Sequence, residues 1–220
     1  MRQSITERDL NNSCCILPYY EWLRSDVIAA VPPDAKTVLS VGCAAGKTEA
    51  ELVKRGMKVV GVEINPDAAK IARQRGLTIL EGDASEIDVA VAGGFYDCII
   101  YADVLEHLPD PLSVLQRHVA SLKKNGTVIV SVPNFRHYSV FRQLFVHGHV
   151  RYADAGILDR THLRITTRKM VLEWFELAGL RTTFLKYVIP RRRYRLISAA
   201  LFGLFREFMA TQILAVGRKD

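Results

Sequence analysis

The chain has 220 residues, of which 49% are hydrophobic and 24% are charged, and these fractions exclude a disordered protein. This length suffices for one substantial domain with an elaboration, but not for two separate cores. The formal net charge of +7 is uneven, since residues 1–132 hold 14 basic and 17 acidic side chains whereas residues 133–220 hold 16 and 6. The basic part is therefore expected to face a phosphorylated substrate, a membrane surface or nucleic acid, or to be a solvated basic face.

The cysteines and the N-terminus predict a cytoplasmic protein. Cys14, Cys15, Cys43 and Cys98 have no metal-ligand spacing, which favours a reduced, intracellular chain. The N-terminal sequence MRQSITERDL lacks the apolar core of a signal peptide, and no stretch reaches transmembrane length.

Strands and helices are predicted to alternate as far as residue 132. The segment PYYEWLRSDVIAAVPP predicts an amphipathic helix that ends at Pro32 and Pro33, within a helical cap over residues 1–36. The strands predicted after it span residues 37–41, 58–64, 77–82, 96–103 and 126–132, and the helices between them span 47–55, 68–75 and 112–122. Asn65 and Asp110, each followed by a proline, are the predicted caps of the second and third of these helices, and Asn125-Gly126 is the predicted turn into the fifth strand. Such alternation indicates an α/β protein with a doubly wound, mostly parallel sheet and helices on both faces.

The alternation stops after Val132. Residues 133–165 have no clear period and hold four of the six histidines, so we predict a substrate-side insertion at the carboxyl end of the sheet. A helix over 168–178 and strands over 180–189 and 208–219 follow. The two late strands are expected to form an antiparallel pair at one edge of the sheet, so that a C-terminal strand runs antiparallel within a domain over residues 37–220.

The stretch VLSVGCAAGKTEAELVKRGMKVVGVE, residues 38–63, is typical of an adenosine-binding crevice. A strand leads into a turn of small residues, Gly42 to Gly46, and a second strand ends on the acid Glu63. Small residues let the backbone approach a ligand closely, and an acid at the end of the second strand can accept both hydroxyl hydrogens of a ribose.

Two other nucleotide motifs do not fit this turn. A P-loop needs four residues between its first glycine and Gly-Lys-Thr, whereas Gly42 and Gly46 have three between them. In the dinucleotide fingerprint GxGxxG, Ala44 replaces the middle glycine and Glu49 stands where a small residue is needed. Glu49 and Glu51 also disfavour a diphosphate at the start of the helix. A cationic cofactor without phosphates fits better.

The motifs GCAAG, VEINP, EGDAS and YDCIIYADVLEHLPDP, in this order and spacing, resemble those of the class I S-adenosylmethionine-dependent methyltransferases. The segments SVPNFRHYSV and AGILDRTHLRITT extend the similarity to a bacterial subgroup that includes ubiquinone-biosynthesis-type O-methyltransferases and enzymes of surface-glycan and natural-product pathways. The resemblance implies a Rossmann-like fold, S-adenosyl-L-methionine as the cofactor and S-adenosyl-L-homocysteine as the product. It further implies in-line methylation of an oxygen, less readily a nitrogen, of a small-molecule or glycan-linked acceptor.

The resemblance also implies a role for individual residues. Gly42, Ala44 and Gly46 would line the methionine part of the cofactor, and Glu63 would bind the ribose. Ile64, Asp83 and Ala84 would contact the adenine, and Ala102 would lie under the sulfonium. Tyr19 or Tyr20 would close over the cofactor. The residues alone leave open an exposed strand-end acid at position 63 and a turn or cap residue at position 83. Two departures matter, because the family usually has an acid where Ser40 stands and a glycine where Ala44 stands.

His107 in LEHLPD is the predicted general base, because it follows the fourth strand beside the methyl-donor position and histidine titrates near working pH. A capping or packing role is the alternative. His162 in DRTHLR is the second candidate, with Asp159 to orient it and Arg164 to bind an anionic group of the acceptor.

No metal site is predicted. Glu106 and His107 alone are weak evidence for a divalent ion, and His147 and His149 are interpreted as surface residues.

The segment RRRYRLISAALFGLFREF predicts a basic amphipathic helix over residues 190–208. We favour packing of this helix on the sheet over peripheral contact of residues 191–208 with anionic lipid. RNA binding ranks lower, because the segment has no aromatic-plus-basic module.

Two other functions of the protein stay open: a non-catalytic S-adenosylmethionine-binding module and, less favoured, a nicotinamide-dependent reductase. The sequence does not indicate an oligomeric state.

Overall fold

The computed structural model describes residues 22–90, 94–189 and 205–220. In these ranges seven strands form one sheet: β1 Thr37–Val41, β2 Lys58–Glu63, β3 Thr78–Glu81, β4 Tyr96–Ala102, β5 Leu122–Pro133, β6 Leu180–Val188 and β7 Gln212–Lys219. The α-helices are α1 Ser25–Ala30, α2 Lys47–Lys54, α3 Pro66–Gln74, α4 Pro111–Ala120, α5 Tyr138–Phe141, α6 Arg168–Leu177 and α7 Arg206–Met209. A 3₁₀ turn covers Leu105–His107, and a π-helical turn, Arg142–Val146, continues α5.

The sheet has the order β3-β2-β1-β4-β5-β7-β6. β1 pairs in parallel with both β2 and β4, and β7 runs antiparallel to its neighbours β5 and β6. The structure therefore confirms the predicted doubly wound, mostly parallel α/β sheet with an antiparallel C-terminal strand. Because the chain crosses over in opposite directions from β1, the crevice between the ends of β1 and β4 is the place where such sheets bind ligands.

The central strands are apolar on both faces because helices cover both faces. On β4, Ile99 and Tyr101 pack in a cluster that includes residues of α4 and α6. Cys98 and Ile100 point to the other face, into a cluster with residues of α1, α2 and α3. Cys43 and Cys98 are buried free thiols.

The predicted helix starts at Asn65 and Asp110 are present. The Asn65 side chain accepts hydrogen bonds from the backbone of Asp67 and Ala68, and the Asp110 side chain accepts one from Ser113. A proline follows each cap at the first helical position, where its missing N–H has no partner to lose. These caps fix where the loops after β2 and β4 turn back from the sheet edge.

The start of β5 differs from the prediction. The strand begins at Leu122, which pairs with Tyr96, whereas the next pair on the same two strands is Thr127 with Cys98. The residues between them bulge out of the ladder, and Asn125 adopts a left-handed φ of 63° there. Asn125-Gly126 is thus an irregularity within a longer strand and not the turn that precedes it.

Several predicted elements lie largely or wholly outside the described residues. The helical cap over residues 1–36 is described from Trp22 onwards and includes α1. Tyr19, Tyr20 and most of residues 190–208 are not described. Within the described ranges, no helix has both the length and the apolar character needed to cross a membrane.

Candidate functional site

The carboxyl ends of β1, β2 and β4 bring the predicted cofactor residues to one edge of the sheet. Gly42 to Gly46 follow β1, Glu63 ends β2 and Ala102 ends β4. Asp83 follows β3 and Ala84 packs against the core. Since β3, β2, β1 and β4 are consecutive in the sheet, the structure groups all of these residues as the topology argument expected.

The turn after β1 depends on small residues in a left-handed backbone conformation. Gly42, Ala44 and Gly46 have φ angles of 65°, 51° and 73°. A methyl group added to Gly42 would lie 2.6 Å from Cγ2 of Val104, so the turn and the loop after β4 touch at this glycine. Ala44 is the one residue of the three that carries a Cβ in this conformation.

Replacing Ala44 by glycine is expected to stabilise the protein. A left-handed φ costs an L-residue with a Cβ about 1–2 kcal/mol, so Ala44→Gly should raise the free energy of unfolding by about 0.5–1 kcal/mol and the melting temperature by a few degrees. The control is Ala45→Gly next to it, which removes a fully buried methyl group and should be destabilising. A lower melting temperature for Ala44→Gly than for the wild type would contradict this interpretation.

Glu63 is buried beside the turn and fixed by it. Its side chain accepts hydrogen bonds from the backbone N–H of Ala44 at 2.8 Å and of Asn65 at 2.9 Å, one on each carboxylate oxygen. Each oxygen keeps a second lone pair, so the carboxylate can accept two further hydrogen bonds. Ile64, the next residue, is 68% exposed and presents an apolar side chain beside this acid.

A carboxylate lies next to Ser40 although the family's usual acid is missing there. The Ser40 hydroxyl donates a 2.7 Å hydrogen bond to Glu49 Oε1, and both side chains are buried. Glu49 comes from the first turn of α2, so the acid is supplied by the helix instead of the strand. In the sequence Glu49 is evidence only against a dinucleotide or diphosphate ligand, and its contact with Ser40 is not predicted.

Burial raises the pKa of Glu49 to about 7; the charge of Glu63 acts in the same direction, and the Ser40 hydrogen bond opposes it. Between its ordinary pKa of 4.5 and this value, the folded protein keeps a proton that the unfolded chain has lost. The free energy of unfolding should therefore fall as the pH rises through this window, by on the order of 3 kcal/mol.

Glu49→Gln should remove this loss, because the amide oxygen can still accept the Ser40 hydrogen bond but does not titrate. Urea denaturation at about pH 5 and about pH 8 measures the difference. Glu51→Gln is the control, since this neighbouring side chain is 41% exposed and should leave the pH dependence unchanged. An equal pH dependence in the wild type and Glu49→Gln would contradict the argument.

Asp83 reaches the same edge, but its hydrogen bond is local. Its side chain is exposed and accepts a 2.7 Å hydrogen bond from the backbone N–H of Ser85. Hydrogen bonding from the Ser85 side chain, and then from this N–H, lowers the pKa of the carboxyl. This is the geometry of the turn-capping alternative, and the role toward adenine stays a prediction.

Arg24 ties the segment before α1 to the ends of β4 and β5, a contact that the sequence argument missed. Its guanidinium pairs with Asp26 and Asp103 and donates a 2.6 Å hydrogen bond to the Ser131 hydroxyl. Gln212 of β7 donates to the other oxygen of Asp103 at 2.6 Å. Asp103, directly after β4, is itself left-handed with φ 60°. This network fixes a further carboxylate, that of Asp103, at the edge beside Ala102.

His107 and His162, the two candidate bases, lie side by side. Their ring centroids are 4.8 Å apart in an edge-to-face arrangement. The backbone N–H groups of Leu163 and Arg164 both donate to the carbonyl of Glu106, at 2.9 and 3.1 Å, and so hold the end of the 133–165 insertion against the 3₁₀ turn. The insertion thus brings His162 to the turn that follows β4.

Hydrogen bonds to carbonyls assign the protonated nitrogen of each ring. Nδ1 of His107 lies 3.2 Å from the Thr161 carbonyl, and Nδ1 of His162 lies 3.1 Å from the Ile157 carbonyl. Because a carbonyl can only accept, each Nδ1 carries a proton, and in the neutral ring of His107 it is Nε2 that keeps a lone pair. Burial lowers the pKa of His107, and the neighbouring His162 lowers it further. His107 is therefore a neutral imidazole near neutral pH.

Glu106 is fully buried next to this pair. Neither carboxylate oxygen has a hydrogen-bond partner among the described residues, and Oε1 lies 4.0 Å from Nε2 of His162. Burial raises its pKa well above 4.5, and the charge of Asp103 acts in the same direction. One ligand atom from each of Glu106, His107 and His162 lies within 4.8 Å of the others, which is a grouping that could hold a metal ion.

Asp159, predicted to orient His162, forms its hydrogen bonds with Thr161 and not with the His162 ring. Asp159 accepts hydrogen bonds from the backbone N–H and the hydroxyl of Thr161, at 2.8 and 2.6 Å, because a turn brings these groups closer than the ring. The carbonyl of Ile157 orients His162 instead. The Arg164 guanidinium donates to the carbonyl of Pro109, at the surface and two residues after His107 in the chain. Its role toward an acceptor, like that of Asp159, stays a prediction.

Comparison with known proteins agrees with this geometry. A family model described as a methyltransferase domain matches residues 20–183. The ubiquinone biosynthesis O-methyltransferase of Cereibacter sphaeroides is 32% identical over 113 residues, which are 50% of this chain and 46% of that protein. The enzyme of the same name from Vibrio campbellii is 36% identical over 104 residues, which are 45% of this chain and 44% of that protein. The chain thus spans about half the length of the curated relatives it matches.

Solved structures agree on the fold. A methyltransferase from Archaeoglobus fulgidus has a TM-score of 0.63 at 18% identity, covering 97% of this chain and 95% of its own. One from Thermotoga maritima has a TM-score of 0.66 at 17% identity, covering 97% and 98%. At these identities the likeness shows the fold alone.

Proposed function

The chain belongs to the class I S-adenosylmethionine-dependent methyltransferases, and from this premise we propose that it methylates an oxygen atom of a small-molecule or glycan-linked acceptor, with His107 as the general base. The observation that supports this most is the neutral His107 imidazole, with Nε2 free to accept a proton, directly after the strand whose end carries Ala102. The O-methyltransferase relatives favour oxygen over nitrogen.

The residues at the sheet edge fit a cationic cofactor. Glu63, Glu49 and Asp103 bring three carboxyl groups to the ends of β1, β2 and β4, and Ile64 offers an exposed apolar side chain beside Glu63. S-adenosylmethionine, when bound, supplies an activated methyl group on a positively charged sulfur, and its loss leaves S-adenosylhomocysteine. Glu63 would hold the ribose, Ile64 and Asp83 the adenine, and Gly42 to Gly46 with Glu49 the amino-acid part.

His107 performs the proton transfer in this proposal. A hydroxyl oxygen is a poor nucleophile until its proton is removed, and a positioned base contributes about 10²–10⁴-fold to such a step. Nε2 of His107 accepts the hydroxyl proton as the oxygen–carbon bond forms. The Thr161 carbonyl, which accepts the Nδ1 hydrogen, stabilises the resulting imidazolium and keeps the ring in place.

The acceptor is proposed to carry an anionic group, because residues 133–220, which include the insertion that brings His162 to His107, hold 16 basic and 6 acidic side chains. Arg164 is the basic residue proposed to bind this group, since its guanidinium is held at Pro109, two residues after His107. Reaction in the cytoplasm is consistent with the buried free thiols of Cys43 and Cys98.

Methyl transfer is tested by incubating the full chain with S-adenosylmethionine and a panel of catechols, phenols and hydroxylated glycosides, with detection of S-adenosylhomocysteine and the methylated product by mass spectrometry. The expected result is an O-methyl product that forms equally well after treatment with a chelator. Product that forms only with added Mg²⁺ would assign Glu106, His107 and His162 to a metal and remove His107 as the base. Binding of the cofactor with no product from any acceptor would favour the non-catalytic binding module.

A further inference from the structure

The helical turn after β5 exposes four adjacent apolar side chains to solvent. Phe141 is 54% exposed, Leu144 50%, Phe145 70% and Val146 67%. The rings of Phe141 and Phe145 stack on each other with their centroids 4.7 Å apart, and Leu144 and Val146 are the chain neighbours of Phe145 on either side. We call these four residues the apolar patch. Single exposed apolar residues are common, but a contiguous group of large ones marks a binding surface.

The charged residues that flank this apolar patch in the sequence are all basic. No Asp or Glu occurs between Asp110 and Asp154. Arg142 lies within the patch segment and Arg151 follows it, and neither forms an ion pair with any residue that the structure describes. His147 and His149 stand between them. Large apolar side chains beside unpaired arginines are the combination that an anionic lipid surface attracts.

The apolar patch lies on the acceptor side of the molecule. The Phe135 ring, at the end of β5, has its centroid 6.2 Å from that of His162. Only two residues separate Phe135 from Tyr138, where α5 begins. A surface that binds the apolar patch therefore lies against the same end of the sheet as the histidine pair.

We propose that α5 and the π-helical turn dock this protein on an anionic lipid bilayer, with the apolar patch at the level of the headgroups and Arg142 and Arg151 against the lipid phosphates. This contact uses residues 138–151, not the basic segment 191–208. It goes beyond the proposed methyl transfer and does not depend on it.

Vesicle sedimentation with the full chain tests the contact. We expect the wild type to sediment with vesicles of phosphatidylglycerol and phosphatidylcholine, and more weakly with phosphatidylcholine alone. The double variant Phe141→Ser/Phe145→Ser should lose at least about tenfold in partition coefficient, because two buried rings are removed. Arg142→Gln/Arg151→Gln should lose about tenfold or more on the anionic vesicles only, since each cation near the surface contributes about fivefold.

Phe95→Ser is the matched control. Phe95 is 62% exposed but lies just before β4, at the opposite edge of the sheet from α5, so its loss should leave sedimentation unchanged. Thermal melting of each variant checks that the fold is retained.

Three results would overturn the proposal. The first is a wild type that sediments with neither kind of vesicle. The second is a Phe141→Ser/Phe145→Ser variant that sediments like the wild type, which would place the lipid contact elsewhere, residues 191–208 included. The third is a wild type that forms a concentration-dependent dimer, while the Phe141→Ser/Phe145→Ser variant does not and neither of the two binds vesicles. This result would assign the apolar patch to a second copy of the chain.

Discussion

Replacing Glu63 by glutamine is expected to weaken the binding of S-adenosylmethionine and S-adenosylhomocysteine by about 100-fold or more. The carboxylate accepts the backbone N–H groups of Ala44 and Asn65 and keeps one lone pair on each oxygen for a ribose hydroxyl. A glutamine amide has only one accepting oxygen, and its NH₂ group would face one of the two backbone donors. The loss of two hydrogen bonds to a charged group, about 1.5–3 kcal/mol each, accounts for the expected factor. Isothermal titration measures it for both ligands.

Glu81→Gln is the matched control for this measurement. Glu81 lies in register with Glu63 on the neighbouring strand, but its side chain is 43% exposed and pairs with Arg73. Its substitution should leave the affinity within about twofold, because surface ion pairs contribute little. Unchanged affinity in a folded Glu63→Gln protein would refute the ribose role.

Replacing His107 by asparagine is expected to lower kcat by about 10²–10⁴-fold while the dissociation constant of S-adenosylmethionine stays the same. The asparagine amide keeps a donor for the Thr161 carbonyl but cannot take a proton from the acceptor. Since the base must be neutral and its pKa is lowered, the wild-type rate should fall only as the pH drops through a value below 6.5. A kcat for His107→Asn within about threefold of the wild type would exclude His107 as the base.

His162→Gln tests how the two rings work together. His162 lowers the pKa of His107 in addition to the effect of burial, so its removal should shift the acidic limb of the kcat–pH profile to higher pH. A purely structural role of His162 would lower kcat at all pH values without moving the limb. His147→Gln, at a position separate from the histidine pair, is the control and should leave the profile unchanged. The loss of nearly all activity in His162→Gln, with little loss in His107→Asn, would exchange the roles of the two histidines.

The sheet was predictable because its strands are buried on both faces and separated by strong helix caps. β1 has its predicted bounds, Thr37–Val41, and the caps at Asn65 and Asp110 lie where the sequence places them. The start of β5 was not predictable, since it depends on a long-range pair between Leu122 and Tyr96. A local Asn-Gly signal predicts a turn, and this distant pairing outweighs it.

The cofactor edge was more predictable than the acceptor side. Glu63 and Gly42 follow from the order of the strands, because every parallel strand of the sheet delivers its carboxyl end to the same edge. The contact of Ser40 with Glu49 depends on how α2 lies over β1, and the 133–165 insertion has no period from which its path could be derived. His162 is held beside His107 by the hydrogen bonds that Leu163 and Arg164 donate to Glu106 and by the one between His107 and the Thr161 carbonyl.

A structure of the full chain with S-adenosylhomocysteine bound tests the central claim most directly. We expect both ribose hydroxyls on the Glu63 carboxylate, the adenine against Ile64, and the sulfur facing Nε2 of His107 across a space that admits one acceptor oxygen. A ribose held by other groups, or a sulfur that faces away from the pair formed by His107 and His162, would contradict it.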